Sequence, residues 1–455
     1  MIDITPHFND KVLNYTDFQY LPPADDSHPS PIWMGGGRTN HNLFAVQQID
    51  VHVQSTPFAP TTSTASITAD TADGKGITIK KFLQYGPPQG HPELLEFAKD
   101  IVEGLQNPKS DVDYLVTSGS GDSLTKLLNV FMSPGDTILV ENYAYTPIFG
   151  PIESCGVVKI PYPIVMETGG PVVDVDALKE ILDTWETGKY KDLKKPKVIY
   201  TVPTQNPLGL TQPRDVIEKV YALCQKHDLI IFEDDPDGYI HMDGIDTFES
   251  FKKQVVGSSY LNLDVDGRVM RMETFSKLFC PGIRLGFIAA RPEVIQRALA
   301  YSKIFTKTAS GISQAVLLKT VEELGGGYDS YLKWCFEVSK EYKRRRDLVF
   351  DYLHESDSVK KGYIELVKPD GGMFFVIKVN FPECDDVQPL LEKLYYEMLK
   401  TGVIVILGRD MAWDDHWRKR ANFLRLTNTN LDTADECLEG AKRLDIAVVN
   451  FFGQL

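Results

Sequence analysis

Between residues 112 and 290 the chain alternates short apolar runs with amphipathic stretches, and this alternation restricts the fold more than any other feature. "YLVT" leads into "DSLTKLLNVFM", "TILVE" into a helical stretch near residue 147, and "KVIYTVP" into "DVIEKVYALCQKH". "LIIFEDD", "RVMRMETF" and "LGFIAA" follow. Runs that are apolar at almost every position suit strands buried on both faces, with the intervening helices as the cover. The pattern predicts an α/β fold built on a mostly parallel sheet. Such sheets collect ligands at the carboxyl ends of their strands, and each motif considered below falls at such an end.

Beyond "GISQAVLLKTVEEL" a long helical pattern runs through "YLKWCFEVSKEYKRRRDLVFDYL". The strands "IELVKPDGGMFFVIKV", "VIVILG" and "NFLRLTN" come next, which reads as a smaller α+β domain. The first 80 residues are rich in Pro, Gly, Ser and Thr and read as an arm, with "TPFAPTTSTASITADTADGKG" as its most loop-like part. The expected divisions are therefore an arm and linker at 1–80, a large domain at 81–310 and a small domain at 311–455.

A formal charge of −15 with no basic stripe argues against nucleic acid or an anionic membrane as partner. Lys343, Arg344, Arg345 and Arg346 fall in a helical pattern and read as a solvated face. Six scattered cysteines without a CxxC suit a reducing, cytoplasmic setting. No run reaches transmembrane length, and the nine histidines form no HExxH or other ligand cluster, so no metal site is expected.

Five strand-end motifs carry chemistry. "TFSKLFCPGIRLGF" sets Lys277 in apolar surroundings, where a lysine without a partner sheds its proton and becomes nucleophilic. Arg284, one loop further on, stays charged and suits a phosphate or carboxylate. "VTSGSGDSL" offers a helix N-terminus to a phosphate, unless Ser120 or Asp122 merely caps that helix. "FEDDPDGY" reads as a functional acid, a magnesium site or a solvated loop, and "TVPTQNPLG" as a functional Asn206 or an Asn-Pro turn. Arg425 interrupts the apolar "FLRLTN", either to meet a ligand or to form a buried ion pair.

One ligand would use all these groups. It has a phosphate for Ser120, Gly121, Ser276 and Arg284, an aldehyde for Lys277, a basic ring nitrogen for a carboxylate, and a phenolate for Asn206. That ligand is pyridoxal 5′-phosphate.

The ordered set "LQYGPPQG", "TSGSGDS", "ENYAY", "TQNPLG", "EDDP", "SKLFCPGIRLG", "PDGGMFF" and "FLRL" resembles the fold-type I, class I/II aminotransferases. The similarity is strongest to the branch acting on aromatic amino acids, kynurenine and 2-aminoadipate, and runs from about residue 30 to 430. The resemblance implies a large domain with a seven-stranded, mostly parallel sheet and a smaller α+β domain. It also implies amino-acid and 2-oxo-acid substrates and a homodimer with shared active sites. Lys277 would hold the cofactor covalently and move the substrate proton, Asp234 would pair with the ring nitrogen, and Tyr145 would stack on the ring. Ser120, Gly121, Thr274, Ser276 and Arg284 would take the phosphate, helped by Tyr85 from the other subunit. Arg425 would take the substrate carboxylate, with Asn206 beside it and Gly37 in the arm that closes over the site. The same fold also hosts β-lyases and, in bacteria, cofactor-binding sensors. The sensor would need a basic helix-turn-helix region, which the first 80 residues lack.

Two departures stand out. Arg38 and Thr39 replace the usual end of the glycine-rich arm, which makes Arg38 either a substrate contact or a solvated residue. Asp237 stands where the family has a tyrosine that donates to the cofactor phenolate. Either Tyr239 swings into that place, which the freedom of Gly238 favours, or Asn206 serves alone.

Overall fold

The computed structural model describes residues 1–15, 28–30, 32, 34, 35, 37–71 and 76–455. In the arm, β1 (Gln48–Gln54) and β2 (Thr62–Thr68) form an antiparallel hairpin. This corrects the expected loop: "TSTASIT" is a strand with alternating burial, and Ala65 and Ile67 point inward. Residues 72–75 of the same stretch lie outside the described residues.

The main sheet is formed by β3 (Asp113–Thr117), β4 (Thr137–Glu141), β5 (Val158–Tyr162) and β6 (Pro196–Thr201), joined by three later strands. After β6 comes a small hairpin of β7 (Thr204–Gln205) and β8 (Leu210–Thr211). The later sheet strands are β9 (Ile230–Asp234), β10 (Val269–Thr274) and β11 (Gly286–Ala290). The seven strands lie in the order β3-β11-β10-β9-β6-β4-β5, and β11 alone runs antiparallel to its neighbours. The other six therefore end on one edge, which brings the motifs of the sequence together.

Alternate residues of these strands feed two separate apolar layers. Val116, Ile231, Phe287 and Ala289 face one, and Leu115, Ile230, Phe232, Ile288 and Ala290 face the other. The helix Ser120–Phe131 covers the second layer with Leu124, Leu127, Leu128 and Phe131, a spacing that keeps all four on one face.

The second sheet has the order β12-β13-β15-β14, from β12 (Ile364–Val367), β13 (Phe374–Val379), β14 (Ile406–Leu407) and β15 (Phe423–Thr427). It packs under a core that includes Leu353, Leu391, Leu394, Leu444 and Val448. The helix Gly327–His354 contributes to both this core and the main one. On that helix Arg345 and Arg346 are buried, not solvated as the charge pattern suggested. Arg346 donates to the Pro369 carbonyl at 2.7 Å and pairs with Asp243 at 2.8 Å. Arg345 donates to the Leu431 carbonyl at 2.6 Å. A guanidinium can satisfy carbonyls and carboxylates at once, so these cations pin loops instead of facing water. No helix among the described residues is long and apolar enough to cross a membrane.

Candidate active site

The end of β3 and the turn between β10 and β11 build a cradle for an anion. The helix Ser120–Phe131 starts after Gly119, at φ 99°, and no side chain caps it. Asp122 does not cap it either: its carboxylate accepts the Ser118 N–H at 2.9 Å and pairs with Lys126. The first turn thus points uncapped N–H groups at the cradle. Space above Gly121 is open, since a Cβ there would meet nothing within 4 Å. Arg284 donates to the Ser118 carbonyl at 3.0 Å and to Ser276 Oγ at 3.3 Å. Thr274 Oγ1 and Ser276 Oγ lie 2.8 Å apart. The Arg284 guanidinium lies close against Gly119, where a Cβ would sit 2.6 Å from Nη2.

Lys277, in the same turn, is half-buried rather than fully enclosed. Its charge lowers the pKa of Asp237, which burial raises to about 6. Asp234 ends β9 with Oδ2 accepting the Tyr200 hydroxyl at 2.6 Å, while its buried Oδ1 has no partner among the described residues. Burial pushes its carboxyl up to about 6, and the Tyr200 hydrogen bond opposes this by favouring the charged form.

Arg425 stands on β15 with its guanidinium 4.2 Å from the Phe374 ring centroid and Nη1 donating to Asn206 Oδ1 at 3.0 Å. Among the described residues no carboxylate lies within ion-pair distance, so the buried-pair alternative has no partner here. Tyr145, 44% exposed, lies near Arg425. Tyr85 is 76% exposed, and its hydroxyl has no hydrogen-bond partner among the described residues. Gly37 and Arg38 are exposed, and the arm is tied to the Tyr85 loop by Gln84 donating to the Thr39 carbonyl at 2.8 Å.

Tyr239 does not offer its hydroxyl to the site. It donates to Glu273 Oε1 at 2.6 Å, inside a buried set in which Arg271 meets both Glu233 and Glu273 at 2.6 Å.

Three supports were missed from the sequence. Tyr200 looks like any core tyrosine in "KVIYT". Glu141 accepts the Val202 N–H at 2.9 Å and the Gln205 amide at 3.0 Å, which fixes the loop carrying Asn206. Arg271 braces β9 and β10 from behind. A polar residue at the end of an apolar strand is the signal shared by Glu141 and Asp234, and it was followed only for the second.

The cradle, the partnerless Asp234 Oδ1 and the nearby Lys277 fit a phosphate-bearing ring with a basic nitrogen and an aldehyde. Residues 63–443 match the aminotransferase class I and II family. The chain belongs to the class I and II aminotransferases. This aminotransferase is 32% identical to aromatic amino acid aminotransferase 2 of Saccharomyces cerevisiae, over 94% of this chain and 92% of that one. It is 31% identical to the mitochondrial kynurenine/alpha-aminoadipate aminotransferase of Mus musculus, over 78% and 81% of the two chains. Its fold matches the aromatic aminotransferase Aro9 from Candida albicans with a TM-score of 0.94, at 34% identity over 100% and 99% of the chains. For a Pyrococcus horikoshii kynurenine aminotransferase, solved with PMP, the TM-score is 0.68 at 28% identity over 82% and 83%.

Proposed function

We propose that this aminotransferase, using pyridoxal phosphate, moves the amino group of an aromatic or 2-aminoadipate-like L-amino acid to a 2-oxo acid such as 2-oxoglutarate. The observation that carries the reading is Arg425, a desolvated guanidinium with no ion-paired carboxylate among the described residues, bonded to Asn206 and, like Lys277, acting on Asp237. A planar cation held this way takes an α-carboxylate as a bidentate pair and orients the amino acid. The relatives named for aromatic amino acids and for kynurenine and aminoadipate support the donor class.

When bound, the cofactor supplies an aldehyde for the substrate amine and a ring that draws electrons from Cα. Lys277 Nζ would move the proton at the substrate Cα, Asp234 would keep the ring nitrogen protonated, and Tyr200 keeps that carboxylate oriented. Ser120, Gly121, Thr274, Ser276 and Arg284 hold the phosphate. Asn206 and Tyr145 flank the ring, and Gly37 and Arg38 belong to the segment that shuts out water. We place Tyr85 across a homodimer interface, supported by its exposure and its unused hydroxyl.

Single amino acids mixed with loaded enzyme and no acceptor test this reading. One equivalent of oxo acid should form per site while the cofactor band is lost, and 2-oxoglutarate should restore the band. Continuous release of pyruvate or ammonia from one substrate would instead establish a lyase.

A further inference from the structure

Asp237 is a buried carboxyl that the scheme above leaves without a task. It is 2% exposed, and its Oδ1 has no hydrogen-bond partner among the described residues. It sits where the two sheets meet: a Cβ on Gly372, in the loop before β13, would lie 3.4 Å from its Oδ2.

The groups facing it come from every element around it. Lys277 follows β10, Arg425 is on β15, and the Met373 N–H comes from the loop before β13. Asp234 on β9 and Tyr342 on the helix Gly327–His354 also feel its charge. In the ligand-free site two cations balance Asp237. The ligand removes that balance, since a substrate carboxylate neutralises Arg425 and the cofactor engages the Lys277 amine. An ionised Asp237 would then lie buried beside Asp234 with its balancing cations engaged elsewhere, an arrangement that proteins avoid by protonation.

We propose that Asp237 is the charge-balancing acid of the site: ionised while Arg425 is free, it takes one proton from solvent when an anionic ligand closes on Arg425. The proton adds to Oδ1, no other bond changes, and the neutral acid gains a hydrogen to donate to a ligand oxygen. Carboxylate binding is thereby coupled to proton uptake. Burial raises the Asp237 carboxyl while the Arg425 charge favours its ionised form, so neutralising Arg425 leaves it a proton to gain. This proposal rests on Arg425 as the carboxylate anchor.

The test is calorimetric titration of the cofactor-loaded enzyme with 3-phenylpropionate, an unreactive aromatic carboxylate, in two buffers of different ionisation enthalpy at pH 7. The cofactor band, recorded in parallel, counts any proton gained at the Lys277 linkage, and that count is subtracted. The remaining uptake should approach one proton per site, and affinity should fall up to about tenfold per pH unit above pH 7. Asp237→Asn should abolish the remaining uptake and flatten that pH dependence. Asp237→Ser, which is smaller and cannot ionise, should do the same. Binding that Arg425→Ala leaves unchanged overturns the anchor and this proposal together. Binding that requires Arg425 but keeps its proton uptake in both Asp237 variants, or shows none in the unmutated enzyme, overturns the role of Asp237 alone.

Discussion

Arg425 shows how much a single side chain can state about a site. It interrupts an apolar strand, lies against Phe374, and bonds an amide instead of a carboxylate. Arg425→Ala should lower kcat/KM for an amino-acid donor by about 3 kcal/mol, the scale for removing one side of a desolvated charge pair. Cofactor retention should stay the same, and steady-state kinetics beside cofactor absorbance would check both. Tyr200 is the opposite case, because its one chemical act is hidden. Its hydroxyl favours ionised Asp234, so Tyr200→Phe should raise the Asp234 pKa further above about 6 and leave less carboxylate near neutrality. Loss of a hydrogen bond to a charged group suggests about tenfold weaker cofactor binding, near 1.5 kcal/mol. The acid limb of the pH profile should also move upward. Fluorescence titration of cofactor-free protein and a kcat/KM profile measure these, and unchanged values would leave Tyr200 a packing residue. Residues such as Lys277 and Arg425 were legible because charge stands out in apolar sequence, whereas a tyrosine in a buried strand is ordinary until its partner is seen.

The main strands were legible for a similar reason: each is apolar on both sides and bounded by polar turns. Strand β2 was not, because Thr and Ser fill its exposed positions and only Ala65 and Ile67 mark its buried face. Arg345 and Arg346 were misread because a run of cations gives no hint that carbonyls from distant loops converge on two of them. At the turn between β10 and β11 the decisive fact is spatial. A Cβ on Gly286 would come within 2.3 Å of the Glu273 carbonyl and 3.1 Å of Gly119 Cα. Gly286→Ala should therefore push β11 from β10 and disturb the Gly119–Arg284 contact at the anion cradle. The expected result is cofactor affinity at least about tenfold lower, on the scale of about 1–3 kcal/mol for forced overpacking. Equilibrium dialysis against pyridoxal phosphate would show it, alongside a lower melting temperature.

For the whole molecule, the proposed homodimer makes a distinctive prediction. Lys277→Ala subunits are expected to be inactive and Tyr85→Ala subunits impaired. If Tyr85 serves the other subunit, each mixed dimer holds one doubly damaged site and one intact site. Activity after subunit exchange should exceed the mean of the two parents, and exchange without such a rise would place Tyr85 in its own subunit's site or outside any. One further consequence concerns mechanics. The helix Gly327–His354 has 28 residues, so at 1.5 Å per residue it is a rod of about 42 Å. Its first turns are anchored by Tyr331, Leu332, Cys335 and Phe336 in the core that contains Phe275 and Leu278, next to Lys277. Its last turns hold Val349, Phe350 and Leu353 in the core beneath the sheet that bears Arg425. In its last third, Arg346 grips the Pro369 carbonyl in the loop before β13. The helix seats one end in each core, so a tilt of about 5° about its first turns would swing its far end, and with it the sheet that bears Arg425, by about 4 Å relative to Lys277.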